Sequence, residues 1–137
     1  MAEGFLRKML SKSNTTMQVS SAGLNAYGWP PTDEAVEIMK RQDVNISDHN
    51  STQLTKELIE KAHLILTMEK IHEDAILLHY AQFRHKIFTL KEFAGEKNHL
   101  DIKDPYGQST ETYEACAREI KSYLIKTLEK IVNFTGA

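Results

Sequence analysis

The sequence predicts an α/β fold of three layers, in which helices cover both faces of a parallel sheet. Two short apolar segments, residues 64–66 and 86–90, are typical of buried strands. Segments with helical spacing of apolar residues lie before, between and after them. Strands that alternate with helices favour right-handed crossovers and parallel pairing.

The first part of the chain is predicted to form a helix, a strand and a loop. Residues 2–10 place apolar side chains on one helical stripe, residues 17–21 are predicted to form a short strand, and residues 22–31 form a loop. Thr32 and Thr55 are favourable N-caps, because a threonine hydroxyl accepts a hydrogen bond from a free amide of the first helical turn. A helix is therefore predicted after each. We expect the first of these two to bury Ala35, Ile38 and Met39.

The second part of the chain is predicted to contain two helices and two strands. Residues 64–66 form a strand buried on both faces, residues 69–80 a helix, and residues 86–90 a further strand. Residues 110–132 form the most strongly periodic helix of the chain. Its inward positions are expected to be Tyr113, Ala117, Ile120, Leu124, Leu128 and Ile131.

Length and composition indicate one globular domain over residues 1–137. The hydrophobic fraction is 41%, the charged fraction is 26% and the net charge is −2, so neither a nucleic-acid partner nor an anionic membrane surface is expected. The sequence has no apolar run of about 18 residues and no secretory leader pattern. We therefore expect a cytoplasmic protein without a membrane partner.

The loop at residues 101–107 is the most informative segment for function. It reads Asp-Ile-Lys-Asp-Pro-Tyr-Gly and follows the last predicted strand, so it should lie at the ligand-binding edge of a parallel sheet. A carboxyl there, Asp104, can act as a general acid. A solvated turn is the alternative, because Asp-Pro also commonly opens turns. Asp101 is interpreted as a solvated loop charge.

Metal and cysteine chemistry are not expected from the remaining residues. The six histidines show none of the close spacings of a zinc site, so no metal or other cofactor is predicted. Cys116 is the only cysteine and lies beside the apolar stripe of the last helix. We expect it to be a small buried side chain rather than a nucleophile.

Read in order, residues 19–23, 62–68 and 101–107 resemble the low-molecular-weight protein phosphatases. The similarity covers nearly the whole chain and is greatest to the bacterial branch that includes protein-arginine phosphatases. The resemblance implies hydrolysis of phosphoarginine or phosphotyrosine on proteins through a phosphocysteine intermediate. A phosphorylated protein would be the substrate, and no cofactor would be needed.

The resemblance also assigns roles to individual residues. Asp104 matches the general acid, which also activates the hydrolytic water, and Tyr106 matches an aromatic wall beside the substrate. The geometry of this loop is attributed to Pro105 and Gly107. Ser21 and His49 match residues that brace the phosphate-binding loop of the family.

One part of the family pattern is not found among the 137 residues. In the family, a Cys-x5-Arg-Ser/Thr-Pro loop stands directly before a Met-Ala-Glu like that at Met1. Two explanations stay open: Met1 is an internal methionine of a longer gene that encodes an active phosphatase, or the chain is an N-terminally truncated paralogue. In either case we expect residues 1–137 to be a truncated domain that lacks the first central strand and has no activity as it stands. Such a domain should be of low stability or form dimers through the exposed sheet edge.

Two alternatives to an active phosphatase follow from the same residues. A non-catalytic pseudophosphatase would keep the surface of the family and bind a protein partner. An arsenate reductase on the same fold is less expected, because its redox relay needs more cysteines than the single Cys116.

Overall fold

The predicted helices and the strands predicted at residues 64–66 and 86–90 occur in the expected order, but the strand predicted at residues 17–21 is not found in the described chain and two short helices are added. The structure, a computed structural model, describes residues 1–136. Its elements are α1 (Ala2–Ser11), α2 (Asp33–Arg41), α3 (Lys56–Lys61), β1 (Ile65–Thr67), α4 (Lys70–Tyr80), a 3-10 helix (Ala81–Lys86), β2 (Ile87–Thr89), α5 (Leu90–Phe93) and α6 (Thr110–Val132).

The two strands pair in parallel, with Ile65 opposite Ile87 and Thr67 opposite Thr89. α4 and the 3-10 helix form the crossover between them. The predicted parallel sheet flanked by helices is confirmed. The expectation that residues 64–66 are buried on both faces is wrong, because all three are only half-buried. Within residues 1–136 the sheet has two strands, so the second edge of β1 has no strand to cover it.

The predicted strand at residues 17–21 is wrong for the described part of the chain, where no strand is assigned to these residues. A strand exists only where a neighbouring strand completes its backbone hydrogen bonds, and none of the other described segments pairs with this one. A guanidinium NH2 of Arg7 instead donates to the carbonyl oxygen of Val19 at 3.1 Å. The dimer expected through the exposed sheet edge stays a prediction.

The N-caps of the first-half helices are confirmed. The Thr32 hydroxyl accepts from the Ala35 amide at 3.3 Å, and the Thr55 hydroxyl accepts from the Leu58 amide at 3.3 Å. The sequence analysis did not predict α5, whose N-cap Thr89 accepts from the Glu92 amide at 3.0 Å. A helix of four residues is too short to show a helical period. As expected, α2 buries Ala35, Ile38 and Met39.

The core lies where α6 packs against α1, α2 and α5. The predicted inward positions of α6 are confirmed except that Leu128 is half-buried and Thr127 is buried in its place. Thr127 can be buried because its hydroxyl donates to the Tyr123 carbonyl oxygen at 2.7 Å. Among residues 1–136, no helix is both long enough and apolar enough to cross a bilayer.

Packing of α2 into this core should dominate the stability of the domain. Ile38 is 1% exposed, so Ile38→Ala should lower the free energy of unfolding by about 2–5 kcal/mol through lost burial and the cavity left behind. Urea denaturation measures the change. The matched control is Ile125→Ala on α6, where the side chain is 60% exposed and the loss should be much smaller. Equal losses for the two variants would contradict this core.

Candidate active site

The acid loop, residues 101–107, is attached to the carboxyl end of β1. The Ile102 amide donates to the Met68 carbonyl oxygen at 2.8 Å, one residue beyond the end of β1. The Ile102 side chain is 2% exposed and Pro105 is buried as well. Two apolar anchors therefore fix the loop at the strand end, where the parallel sheet predicts a ligand site.

The acid loop leaves Asp104 and Tyr106 exposed. Asp104 Oδ1 accepts from the Tyr106 amide at 3.0 Å, and the Asp104 amide donates to Glu69 Oε1 at 3.3 Å. Gly107 has φ +77°, a conformation that strains residues with a side chain. The turn thus holds the Asp104 carboxyl in one orientation while leaving it accessible, which suits a group that exchanges protons with a bound molecule.

Asp101 is an exposed loop charge, as expected, and it also makes a contact that was not expected. Its Oδ1 accepts from the Lys70 amide, the first amide of α4, at 2.7 Å. Because the first amides of a helix have no partner within the helix, a carboxylate there is favourable. This contact could not be predicted from a local pattern, because its two residues lie 31 positions apart.

A second group of polar residues, the Glu3 cluster, consists of Glu3, Arg7, Ser21 and His49. Glu3 lies in the first turn of α1, and its side chain is 12% exposed. Its oxygens accept from the Ser21 hydroxyl at 2.8 Å and lie 3.0 Å from Arg7 and 3.6 Å from His49 Nδ1. The structure therefore brings Ser21 and His49 to one carboxylate, which the sequence analysis did not single out.

The N-terminus of α1 connects the acid loop with the Glu3 cluster. Cys116 Sγ lies 3.6 Å from the Lys103 carbonyl oxygen in the acid loop, and the Met1 amino group is close enough to act on this thiol electrostatically. Among residues 1–136, no side chain caps the start of α1. The first amides of a helix favour a negatively charged group. The arrangement places a carboxyl, a helix N-terminus and a polar cluster side by side.

Cys116 packs against the core as a half-buried side chain. Burial, with smaller contributions from Glu119 and Asp104, raises the pKa of its thiol to about 11. At pH 7 only about one molecule in 10⁴ would carry the thiolate. This agrees with the interpretation of Cys116 as a packing residue. Within residues 1–136, no three acidic, histidine or cysteine side chains are placed to hold a metal ion.

Comparison with known proteins identifies the family of the chain. A sequence model of the family described as low molecular weight phosphotyrosine protein phosphatase matches residues 1–134. The chain belongs to this family. The resemblance stated from the sequence is confirmed, and the α/β fold class is confirmed with it.

The similar proteins include both kinds of phosphatase. A protein-arginine-phosphatase of Bacillus subtilis is 33% identical over 90% of this chain and 82% of its own length. A probable low-molecular-weight protein-tyrosine-phosphatase, EpsP of Ralstonia nicotianae, is 35% identical over 88% of this chain and 79% of its own. The crystal structure of the T. tengcongensis low-molecular-weight protein tyrosine phosphatase is 35% identical and superimposes with a TM-score of 0.88, covering 94% of this chain and 88% of that one.

The raised pKa of Cys116 predicts slow alkylation of its thiol. Because iodoacetamide attacks the thiolate, the rate in the folded chain should rise about tenfold per pH unit from pH 7 to pH 10 without levelling. In urea the same thiol should level off near its ordinary pKa of about 8.5. Mass spectrometry follows the reaction at this single cysteine. A plateau at or below pH 9 in the folded chain would contradict the burial of the thiol.

Proposed function

We propose that this domain serves the hydrolysis of phosphorylated side chains on proteins, with Asp104 as the general acid and base. The observation that carries the proposal is the position of Asp104, exposed on a loop that buried Ile102 and Pro105 fix at the carboxyl end of β1. A protonated carboxyl there would donate its proton to the leaving group of the phosphorylated side chain. The resulting carboxylate would then accept a proton from the attacking water.

Ser21 and His49 are proposed to act on the phosphate-binding loop rather than on the substrate. Both lie on the Glu3 carboxylate beside the N-terminus of α1. A Cys-x5-Arg loop entering α1 would be next to them, and their polar atoms could fix its conformation. Tyr106, 71% exposed and two residues after Asp104, is proposed to form a wall of the substrate pocket.

The residues 1–137 by themselves are proposed to be inactive in cysteine-dependent hydrolysis. The reaction needs a thiolate nucleophile and a cradle of amides and arginine for the transferring phosphoryl group. The sequence contains no Cys-x5-Arg, and Cys116 has a raised pKa and lies within α6. A general acid alone has no attacking group to assist.

A non-catalytic protein-binding module is the second candidate function. The specific observation in its favour is that none of the 137 residues supplies the nucleophile. Reading the in-frame DNA upstream of Met1 separates the two candidates. An intact Cys-x5-Arg-Ser/Thr-Pro motif there would rule out the non-catalytic module.

The 137-residue chain should not hydrolyse p-nitrophenyl phosphate in a cysteine-dependent way. The purified chain and its Cys116→Ser variant are expected to give the same background rate, measured by release of p-nitrophenolate. In a version that carries an upstream Cys-x5-Arg loop, Asp104→Asn should lower kcat by about 10²–10⁴-fold, because the general acid is lost.

The matched control for the second experiment is Asp33→Asn in the same extended version. Asp33 is an exposed carboxyl at the start of α2, outside the acid loop, and its loss should leave kcat within a few-fold of the parent. Activity that disappears in Cys116→Ser would show that Cys116 is a nucleophile. An unchanged kcat in Asp104→Asn would remove Asp104 from the reaction.

Phosphoarginine is proposed as the preferred substrate over phosphotyrosine. The acid loop carries one aromatic residue, Tyr106, so its wall is shallow, and the Bacillus subtilis relative is named a protein-arginine-phosphatase. In the extended version, kcat/KM should be higher for a phosphoarginine peptide than for a phosphotyrosine peptide of otherwise equal sequence. Tyr106→Ala should raise KM, whereas Tyr106→Phe should not. A clear preference for phosphotyrosine would refute this assignment.

A further inference from the structure

Glu73 is a buried carboxylate with one oxygen left unpaired. The residue lies on α4 and is 3% exposed. Its Oε1 forms an ion pair with the Lys70 ammonium, whereas its Oε2 has no hydrogen-bond partner among the described residues. Burying an oxygen of a charged group without a partner costs free energy, because the hydrogen bonds that it made to water are lost and not replaced. A donor for Oε2 is therefore to be expected in the folded state.

Glu73 lines a cleft of about 460 Å³ between α4, the 3-10 helix, β2 and α5, here called the Glu73 cleft. The charged groups that face it are Lys70, Glu73 and Asp74 from α4, Arg84 from the 3-10 helix and Glu92 from α5. β2 contributes only apolar side chains. The Lys70 ammonium is already shared between Glu73 and Asp74, at 3.5 Å from the latter. In the structure Lys70 does not reach the second oxygen of Glu73, which stays without a partner among the described residues.

Glu92 is the group that can supply the missing donor. Its carboxyl belongs to the first turn of α5 and lines the same cleft as Glu73, so a protonated Glu92 could be the donor. Two adjoining carboxylates repel each other unless a proton lies between them. Burial and then the contact with Glu73 raise the pKa of Glu92, against smaller opposing effects of Lys70 and the Thr89 backbone.

We propose that Glu92 is protonated in the folded protein and donates its O–H to Oε2 of Glu73, which forms a shared-proton link between α5 and α4. The link satisfies the one unpaired oxygen of Glu73 without any further ligand. It stands independently of the proposed function, because it concerns groups outside the acid loop and the Glu3 cluster.

The shared-proton link lies next to the attachment of the acid loop. Lys70, the ion-pair partner of Glu73, also donates its backbone amide to Asp101, and the preceding residue Glu69 accepts from the Asp104 amide. The contacts of Glu73 and the contacts of the acid loop therefore both involve the start of α4.

The link makes the stability of the domain depend on pH in a defined direction. A carboxyl whose pKa is raised on folding binds its proton more tightly in the folded chain than in the unfolded chain. Its contribution is fully present below the pKa of the unfolded glutamate. It is lost as the pH rises through the higher pKa of the folded state.

Glu92→Gln tests the link, because the glutamine amide can donate to Oε2 of Glu73 at every pH. We expect the Tm of the variant to exceed that of the parent chain by roughly 3 °C at pH 8, as one hydrogen-bonded group typically shifts a domain of this size. Near pH 4 the two values should converge. The matched control is Glu129→Gln, an exposed carboxyl on α6, which should leave the pH profile of the Tm unchanged.

Titration of Glu92 in the parent chain tests the proposal even if the Glu92→Gln variant folds poorly. The side-chain carboxyl carbon of Glu92, followed by NMR in the parent chain, should titrate at a higher pH in the folded chain than in urea. Identical pH profiles for the parent chain and Glu92→Gln would overturn the proposal. So would a Glu92 resonance that titrates at the same pH in the folded and in the unfolded chain.

Discussion

The backbone hydrogen bond between the Ile102 amide and the Met68 carbonyl oxygen holds the candidate site together. It joins the acid loop to the end of β1 at 2.8 Å, and the nearly complete burial of Ile102 keeps water away from it. The parallel pairing of β1 and β2 places that strand end, and α4 begins three residues after β1. The position of Asp104 thus depends on a contact made two residues earlier in the loop.

The helices could be predicted from the sequence because their signals are local. Thr32 and Thr55 each cap a helix through an amide three residues further on, and α6 repeats apolar residues along its whole length. The strand predicted at residues 17–21 shows the limit of such signals. A few apolar residues allow an extended conformation, whereas a strand also needs a partner from elsewhere in the chain.

Some contacts of the candidate site could likewise be predicted from the sequence, and others could not. The Asp104 turn could be predicted, because Pro105, Gly107 and the Tyr106 amide that donates to Asp104 all lie within three residues of Asp104. The contacts of Glu3 could not be predicted, because its partners Ser21 and His49 lie 18 or more positions away and belong to loops without a regular pattern. The proposed link between Glu73 and Glu92 also joins separate helices, and a pair of two carboxyl groups is not one that a pattern search would look for.

The contacts of Asp101 and Glu69 tie the acid loop to the first turn of α4 in both directions. Asp101 holds the first amide of the helix, while Glu69, the N-cap residue, holds an amide of the loop. Neither segment can open without releasing a hydrogen bond of the other, although more than thirty residues separate them. Loop and helix turn therefore form one cooperative unit of local unfolding, in which both segments open together.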